Sequence, residues 1–286
     1  MQAEAIQRHY DEIIASNYDF DPQNVIGDSQ RLALKQVRRH LQKGASRRGL
    51  RVLDLGVGTG RFLEELNEQV HIEPFGLDLS QKMIDIARKK IPELVATVDD
   101  AANLADHFRA VTFDLICTHF ITGFVPMSVI ASKIRARLDH GGYWSFMGGT
   151  KGGFPCLQRA ASSKLVKNLV DGRALNVDDF VCNPADQAEV VQTFREHGFS
   201  VCECETFEPD LHFKDLEKFL EFAYLGGWLT PFIEKFGLHR AGKVTRDALN
   251  AWLFPLQDHH NIVIGLARKA ERNGVREDGH ANRDHR

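Results

Sequence analysis

A glycine-rich loop stands in the first quarter of the chain, where RVLDLGVGTGRF spans residues 51–62. Gly56, Gly58 and Gly60 occupy alternate positions between a short apolar run and a helical segment. Glycine leaves the main chain bare, so a ligand can approach the backbone closely at this loop. The spacing differs from the GxGxxG of dinucleotide sites, and no GKS or GKT ending follows, which excludes a phosphate-binding P-loop.

Two carboxylates flank this loop and narrow the kind of ligand that it would hold. Asp54 stands two residues before the first glycine, where it would repel a phosphate and attract an ammonium group. Asp78 ends the segment EPFGLDL, eighteen residues past Gly60, and is suited to accept hydrogen bonds from both ribose hydroxyls. A ribose without a pyrophosphate, joined to an amino-acid-like end, describes S-adenosylmethionine.

Apolar segments alternate with helical ones from residue 51 onward, and this alternation must position the loop and the carboxylates. The predicted strands are RVLDL, EPFGLDL, ELVATVD, FDLICTHF and YWSFMGG, which show little polar alternation. Helices are predicted between them, including SQKMIDIARKK with Ser80 as its cap, and two more over residues 2–42, the second capped by Asp28 or Ser29. The pattern predicts a parallel sheet covered on both faces, which is a doubly wound α/β fold.

Taken in order, these motifs resemble those of the class I, Rossmann-like S-adenosylmethionine-dependent methyltransferases, in layout over roughly residues 1–268. VLDLGVGTGRF is similar to the first motif of that family, GLDLS to its acidic second-strand motif and VDDAANL to its third. The resemblance implies a seven-stranded, mostly parallel sheet of order 3-2-1-4-5-7-6, in which NIVIGLAR is the antiparallel seventh strand. It also implies S-adenosylmethionine as the cofactor and S-adenosylhomocysteine as the product.

The resemblance further implies cofactor contacts at the matching positions of this chain. Asp54 would orient the loop or the ammonium group of the cofactor, and Asp78 would hold the ribose. Asp100 would accept a hydrogen bond from the exocyclic amine of adenine, with Asp99 as the alternative one residue earlier. The remaining expected contacts are Gly56, Gly58 and Gly60 at the methionine part, Leu79 on the adenine, Ala101 beside Asp100, and Tyr18 at the cofactor carboxylate.

Histidines near the strand ends are the candidates for acid–base chemistry, because an imidazole titrates near neutral pH. His119, in CTHFITGF after the fourth strand, could be a general base, a polar anchor for the acceptor, or a histidine that only bonds the backbone. His260, in DHHN, could reach the same face, or it could form a solvated loop pair with His259. No acid cluster stands at ligand spacing beside them, so no metal site is predicted.

Aromatic residues are concentrated in residues 207–256, which hold ten of the 26 in the chain. We expect them to form a helical cap over a hydrophobic acceptor, with Tyr224 and Trp228 in the pocket wall. Tyr10, on an N-terminal helix laid over the cofactor, and Phe120, next to His119, are the other expected pocket residues. The alternatives for the cap are simple packing on the sheet or a dimer interface.

The same patterns predict the domain boundaries, the partners and the location of the protein. We predict an N-terminal helical lid at 1–48, a core at 49–206 and 257–269, the cap at 207–256 and a disordered tail at 270–286. A net charge of −3 over 286 residues gives no support to a nucleic-acid groove. The absence of a signal-peptide pattern and of any window near 18 apolar residues predicts a cytoplasmic protein without a membrane span, as a monomer or homodimer.

These observations favour a small-molecule methyltransferase acting on an oxygen, or as second choices a nitrogen or carbon, of a hydrophobic metabolite such as a quinone or phenol. An RNA or protein methyltransferase is one alternative. The sequence disfavours it, because the chain has no basic module and has THFI where an NPPY-type amine-methylating motif would stand. A non-methylating protein that binds the cofactor, as a scaffold or rearrangement catalyst, is the other. The loop spacing and Asp54 disfavour a nicotinamide oxidoreductase.

Overall fold

The computed structural model of the chain describes residues 3–41, 49–163 and 181–270. Nine strands form within these ranges, seven in a central sheet and two in a separate ribbon. They are β1 (Leu50–Leu55), β2 (Ile72–Asp78), β3 (Val95–Val98), β4 (Phe113–His119), β5 (Leu138–Gly149), β6 (Phe199–Phe207), β7 (Asp210–Phe213), β8 (Leu256–His259) and β9 (Ile262–Lys269).

The sheet has the order β3-β2-β1-β4-β5-β9-β6. The first five strands of that order pair in parallel, and β9 runs antiparallel to both β5 and β6. Because β9 is the predicted last strand NIVIGLAR, the expected order 3-2-1-4-5-7-6 is confirmed, as is the doubly wound α/β class. The ribbon of β7 with β8 was not expected, and it joins the two ends of the predicted cap, with Asp210 paired to His259.

Ten α-helices lie in the described ranges, and several are joined to short π or 3₁₀ turns. They are α1 (Ala3–His9), α2 (Val25–Leu41), α3 (Arg61–Asn67), α4 (Gln81–Lys90), α5 (Met127–Arg137), α6 (Pro155–Ala161), α7 (Gln187–Glu196), α8 (Leu216–Leu220), α9 (Thr230–Phe236) and α10 (Lys243–Leu253). Single π turns follow α1 at Tyr10–Ile14 and α8 at Glu221–Leu225. The cap is therefore a set of short helices and not one long amphipathic pair.

The helix starts follow local capping chemistry, with one exception. Ser80 caps α4 as predicted, because its hydroxyl accepts a hydrogen bond from the backbone N–H of Met83. The prediction of Asp28 or Ser29 as the N-cap of the second helix is wrong, since α2 already begins at Val25. The carboxylate of Asp21 takes the first free amides of that helix, including the Gly27 N–H at 2.9 Å.

Both faces of the sheet are buried, which explains why its strands carry apolar residues at successive positions. In β4, Leu115 belongs to the apolar cluster under α2, α3 and the cap, whereas Ile116 belongs to the cluster under α5 and α7. Trp144 of β5 is fully buried on the second face, and its indole N–H donates to the Thr118 hydroxyl at 2.8 Å. Burial on two faces makes the sheet a rigid platform for the loops at its ends.

Five parallel strands end at one edge of the sheet, and these ends carry the residues with candidate chemistry. The glycine loop follows β1, Asp78 ends β2, Asp99 and Asp100 follow β3, His119 ends β4 and Gly149 ends β5. Ligands of open α/β sheets bind at this carboxyl edge, near the point where the strand order reverses. The fold therefore brings together side chains that are up to about 90 residues apart in the sequence.

Some expectations fall outside the described ranges. Residues 42–48 of the predicted lid and 271–286 of the predicted tail lie beyond them. Within residues 3–41, 49–163 and 181–270, no helix combines the length and the apolar character that crossing a bilayer requires. The same ranges contain no cluster of three or more His, Cys, Asp or Glu side chains placed to hold a metal ion.

Candidate active site

Two adjoining cavities lie at the carboxyl edge of the sheet. We call the first the glycine-loop cavity, since Gly56, Gly58 and Asp78 line it, and the second the aromatic cavity, since Phe154 and Trp228 line it. Four aromatic residues line both cavities: Tyr10, Tyr18, Phe120 and Phe124. A shared wall means that ligands in the two cavities can meet there, as a reaction between two bound molecules requires.

The glycine loop presents bare backbone to the first cavity at two of its three glycines. Gly56 and Gly58 have positive φ angles of 76° and 54° and line the cavity. A Cβ on Gly56 would come within 2.1 Å of the Ile121 side chain, so only glycine fits there. Gly60 faces away, with Ala87 of α4 only 3.0 Å from the place of its missing Cβ, so its visible role is to let the two segments pack closely.

Asp78 is fixed at the centre of the glycine-loop cavity by the backbone around it. Its two carboxylate oxygens accept the N–H groups of Gly58 and Ser80, each at 2.8 Å. Burial raises the pKa of Asp78 to about 6, although the two backbone N–H groups act in the opposite direction. The carboxylate keeps free lone pairs toward the cavity, so a ligand that offers hydroxyl donors or positive charge would stabilise it.

Asp54 provides a second carboxylate, behind the loop and within β1. It is only 3% exposed, and its Oδ1 atom finds no hydrogen-bond partner among the described residues. Burial, with a further contribution from the charge of Asp78, raises the pKa of Asp54 well above its ordinary value. An unpaired buried carboxylate oxygen is costly, and a cationic group or an ordered donor is what would compensate it.

The neighbouring acids Asp99 and Asp100 both line the glycine-loop cavity but differ in how free they are. Asp99 is held by His107, with 2.6 Å between its Oδ2 and the imidazole Nε2, and by the side chain of Asn103. These hydrogen bonds lower the pKa of Asp99. Asp100 caps the following 3₁₀ turn through one oxygen, to the N–H of Ala102, which leaves its other oxygen for a ligand. Ala101 and Leu79 line the same cavity, as the sequence suggested.

The N-terminal segment forms the outer wall of both cavities through Tyr10 and Tyr18. It is tied to the core by carboxylates, since Asp11 accepts from the backbone N–H of Lys82 at 3.2 Å, and Asp19 accepts from the Thr59 hydroxyl at 2.6 Å. Burial raises the pKa of both tyrosines, so their hydroxyls stay protonated donors at neutral pH. This anchoring holds the aromatic rings directly beside the glycine loop.

His119 lines the glycine-loop cavity at the end of β4 and is 7% exposed. Its Nε2 lies 3.0 Å from the hydroxyl of Ser145, and its Nδ1 has no partner among the described residues. Burial lowers the pKa of His119 to about 3, so the imidazole is neutral at physiological pH. A group with so low a pKa suits hydrogen bonding better than proton abstraction near pH 7.

The aromatic cavity is walled by Trp228 of the cap together with rings from the core. The Trp228 indole meets Phe120 edge-on at 5.0 Å and stacks on Phe222 at 5.4 Å. His260 enters from the opposite side, stacked on Phe154 at 4.6 Å and edge-on to Trp228 at 5.3 Å. His260 is only 5% exposed. The structure therefore does not place this side chain in a solvated loop, which was the alternative interpretation.

Three expected residues do not line the two cavities, namely Asp54 and Gly60, described above, and Tyr224. Tyr224 is buried within the cap, where its ring stacks on His239 at 4.7 Å and meets His9 edge-on at 5.1 Å. Arg61, at the start of α3, pairs with Glu65 at 3.2 Å and approaches Asp21 at 3.7 Å. Neither side chain is among the residues that line the two cavities.

Thr122, Phe154 and Asn183 are among the cavity residues that were not predicted from the sequence. Thr122 lies three residues past His119, so its position after β4 was a usable signal. Phe154 follows the glycines of MGGTKGGFP, and a Cβ on Gly153 would come within 2.3 Å of the His260 ring. Those glycines were a usable signal, because they make room for a neighbouring side chain. No local sequence pattern indicates that Asn183 lines the cavity.

A family model described as a methyltransferase domain matches residues 52–142. Among curated proteins, the chain is 33% identical over 133 residues to the uncharacterized protein MJ1123 of Methanocaldococcus jannaschii, covering 45% of this chain and 55% of that protein. It is 41% identical over 71 residues to demethylmenaquinone methyltransferase of Thermotoga maritima, covering 24% of this chain and 30% of that protein. The matches thus span about half of the first relative and less than a third of the second.

Solved structures share the fold at low sequence identity. The YcgJ protein from Bacillus subtilis aligns with a TM-score of 0.57 at 16% identity, covering 86% of this chain and 100% of the other. A putative methyltransferase, BH2331, from Bacillus halodurans aligns with a TM-score of 0.52 at 14% identity, covering 83% and 100%. At such identities the likeness concerns the fold, and the chemistry has to be argued from the residues of the site.

Proposed function

We propose that the chain, which matches a methyltransferase-domain model over residues 52–142, is an S-adenosylmethionine-dependent methyltransferase of a hydrophobic, aromatic small molecule, acting on an oxygen in preference to a nitrogen or carbon. The observation that carries the proposal is a pair of adjoining cavities with a shared aromatic wall, one lined by carboxylates and the other by rings. The first suits a cationic nucleoside and the second a flat apolar acceptor.

The charge of the glycine-loop cavity fits S-adenosylmethionine. Asp78, Asp99 and Asp100 line it, and no lysine or arginine side chain does so within the described part of the chain. The partnerless Oδ1 of Asp54 adds a hydrogen-bond acceptor behind the loop. A dinucleotide would bring phosphates into this negative surrounding, whereas a sulfonium and an ammonium group would be attracted by it.

In this proposal each of the following residues makes one contact with the cofactor. Asp78 accepts the ribose hydroxyls, Asp100 the adenine amine, and Asp54 the ammonium group, directly or through the loop. Leu79 and Ala101 border the adenine. Arg61 is paired with Glu65, so the Tyr18 hydroxyl is the donor that we assign to the carboxylate of the cofactor. When bound, S-adenosylmethionine supplies an activated methyl group, since its leaving group is a neutral thioether.

The residues of the shared wall hold the acceptor in line and keep water out. Tyr10, Tyr18, Phe120 and Phe124 surround the passage between the cavities, and a dry passage of this kind favours a displacement that needs mainly alignment. His119 acts here as a neutral anchor beside the passage. The proton of the acceptor hydroxyl is then released to bulk solvent outside the passage, and not to a buried base.

The alternatives differ in what the second cavity would hold. An RNA or protein substrate is disfavoured because no charged side chain among the described residues lines the aromatic cavity. A scaffold or a rearrangement catalyst would use the same cofactor residues. The short match to a demethylmenaquinone methyltransferase supports a quinone-type acceptor within this proposal. The cytoplasmic location and the state as monomer or homodimer are parts of the proposal as well.

A thermal-shift comparison tests the cofactor. We expect S-adenosylmethionine and S-adenosylhomocysteine to raise the melting temperature, by a shift that grows with ligand concentration, and NAD(H) and NADP(H) to leave it unchanged. A shift with the nicotinamide pair alone would overturn the assignment. Release of S-adenosylhomocysteine in the presence of a panel of phenols and quinols then separates an enzyme from a scaffold, which would bind the cofactor without turnover.

Cofactor binding is expected to depend on pH through Asp78. With a folded pKa of about 6, the carboxylate is ionised above pH 6 and protonated below it. A cation and ribose hydroxyls favour the ionised form, so the affinity for S-adenosylmethionine is constant above about pH 7. It falls by about tenfold for each pH unit below 6. Isothermal titration between pH 5 and pH 8 measures this, and a flat profile down to pH 5 would contradict it.

A further inference from the structure

Two buried polar side chains, Thr122 and His260, line the aromatic cavity, and each has a polar atom without a partner among the described residues. We call these two residues the polar cluster. Thr122 is 0% exposed and His260 is 5% exposed, and both line this cavity. Neither the Thr122 Oγ1 nor the His260 Nδ1 has a hydrogen-bond partner within residues 3–41, 49–163 and 181–270. Buried polar atoms are nearly always paired in native structures, so two unpaired polar atoms on residues that line one cavity indicate a ligand.

Glycines make room for both polar side chains, which shows that the chain is shaped around them. A Cβ on Gly148 would lie 2.5 Å from the Thr122 hydroxyl oxygen. Cβ atoms on Gly149 and Gly153 would lie 2.7 Å and 2.3 Å from the two nitrogens of His260. Any larger residue at these three positions would displace the hydroxyl or the imidazole, so the sequence MGGTKGGFP keeps the cluster in place.

The cluster lies away from the point where the methyl group would pass. Thr122 and His260 line the aromatic cavity and not the glycine-loop cavity, whereas the passage is formed by residues that line both. A ligand group bound by the cluster is therefore a different group from the nucleophile at the passage. An acceptor that fills the cavity has one polar atom at each end.

The cluster is also electrically neutral. Burial, with the nearby His259 as a smaller contribution, lowers the pKa of His260 to about 3, which leaves the imidazole uncharged at physiological pH. No Lys, Arg, Asp or Glu side chain in the described ranges lines the aromatic cavity. A carboxylate or phosphate on the acceptor would lose its hydration there without gaining a counter-ion.

We propose that the acceptor is an uncharged aromatic compound with two polar groups, a nucleophilic hydroxyl at the passage and a second hydrogen-bonding group held by Thr122 and His260. This rests on the methyltransferase function proposed above and specifies its substrate class. The aromatic body lies against Trp228 and Phe154, and Asn183, which lines the same cavity, borders the second polar group. Thr122 and His260 are then the residues that select the acceptor.

A set of matched naphthalene probes tests this with the full chain saturated by S-adenosylhomocysteine. The set is a naphthalenediol with one hydroxyl on each ring, a naphthol that lacks the second hydroxyl, and a hydroxynaphthamide beside the corresponding hydroxynaphthoic acid. We expect the diol to bind at least about tenfold more tightly than the naphthol, and the neutral amide at least about tenfold more tightly than the acid. A wild-type protein that shows neither preference overturns the proposal.

Variants of the cluster identify the residues responsible. Thr122→Val keeps the volume and removes the hydroxyl, so the preference for diol over naphthol should fall to within about threefold, while Thr122→Ser should restore it. His260→Gln, which keeps a hydrogen-bonding group, should retain part of the preference that His260→Leu loses. Thr206→Val, an exposed threonine of β6, is the matched control and should change nothing.

The ratio of two affinities separates recognition from folding, because a merely destabilised variant would weaken both probes alike. Full preference for the diol in Thr122→Val and in His260→Leu would refute the proposal even if both variants bind S-adenosylhomocysteine normally. Failure of the wild-type protein to bind S-adenosylhomocysteine at all would instead refute the methyltransferase function. The two failures are thus distinguishable in one titration series.

Discussion

Replacing Asp78 by asparagine is expected to weaken the binding of S-adenosylhomocysteine by roughly 100-fold or more. The carboxylate would hold two ribose hydroxyls through charge-assisted hydrogen bonds, each contributing about 1.5–3 kcal/mol. The same carboxylate accepts the N–H groups of Gly58 and Ser80 at 2.8 Å, so its loss also loosens the loop that approaches the ligand. Isothermal titration of wild type and variant measures the effect.

The control for this variant is Asp106→Asn, since Asp106 is an exposed acid of the same region that pairs with Arg109 at 2.8 Å and lines neither cavity. Its affinity should match that of the wild type. The melting temperature of each protein without ligand shows whether Asp78→Asn still folds, and an asparagine accepts one of the two backbone N–H groups with nearly unchanged shape. A folded Asp78→Asn protein with undiminished affinity would mean that the ribose binds elsewhere.

The glycine-loop cavity could be predicted from the sequence because its parts are local. The loop, Asp54 and Asp78 lie within 25 consecutive residues, and two parallel strands place them at one edge by a geometry that every such unit shares. Asp99 and Asp100 follow one strand later. The sequence left open which of those two acids contacts adenine. The structure distinguishes them by a side-chain contact, the pairing of Asp99 with His107, which no local pattern reveals.

The aromatic cavity was harder to predict because many segments that are distant in the sequence build it. Thr122, Phe154, Asn183 and His260 each come from a different loop, and their meeting depends on how those loops cross above the sheet. Burial is the main reason that His260 is uncharged, because the loss of hydration lowers its pKa to about 3, with a smaller contribution from His259. The sequence pattern correctly placed the imidazole of His260 at the carboxyl edge of the sheet, but it did not indicate that the imidazole is buried.

Tyr224 shows how a small departure from helical geometry redirects side chains. The aromatic residues of the cap recur at three- to four-residue spacings, which predicts one common face. A π turn at Glu221–Leu225 adds a residue to the turn and rotates the side chains after it. Phe222 consequently meets Trp228 behind the aromatic cavity, whereas Tyr224 turns toward His9 and His239.

Trp228→Ala is expected to weaken the binding of the naphthalenediol by roughly 100-fold while leaving the affinity for S-adenosylhomocysteine within about twofold. The indole forms a wall of the aromatic cavity and braces Phe120, which it meets at 5.0 Å. Truncating a packed tryptophan removes about 3–5 kcal/mol of contacts, of which a bound ring would share a large part. Titration of the probe into protein saturated with S-adenosylhomocysteine measures the loss.

Trp252→Ala is the matched control, because Trp252 is 43% exposed on α10 and lines neither cavity. It should leave both affinities unchanged, whereas Trp228→Phe should recover most of the acceptor binding by restoring a ring to the wall. The opposite pattern, in which Trp228→Ala weakens S-adenosylhomocysteine and spares the naphthalenediol, would place the acceptor outside the aromatic cavity. The cap would then be a structural cover for the sheet, and the selection of the acceptor would have to lie in residues on the other side of the shared wall.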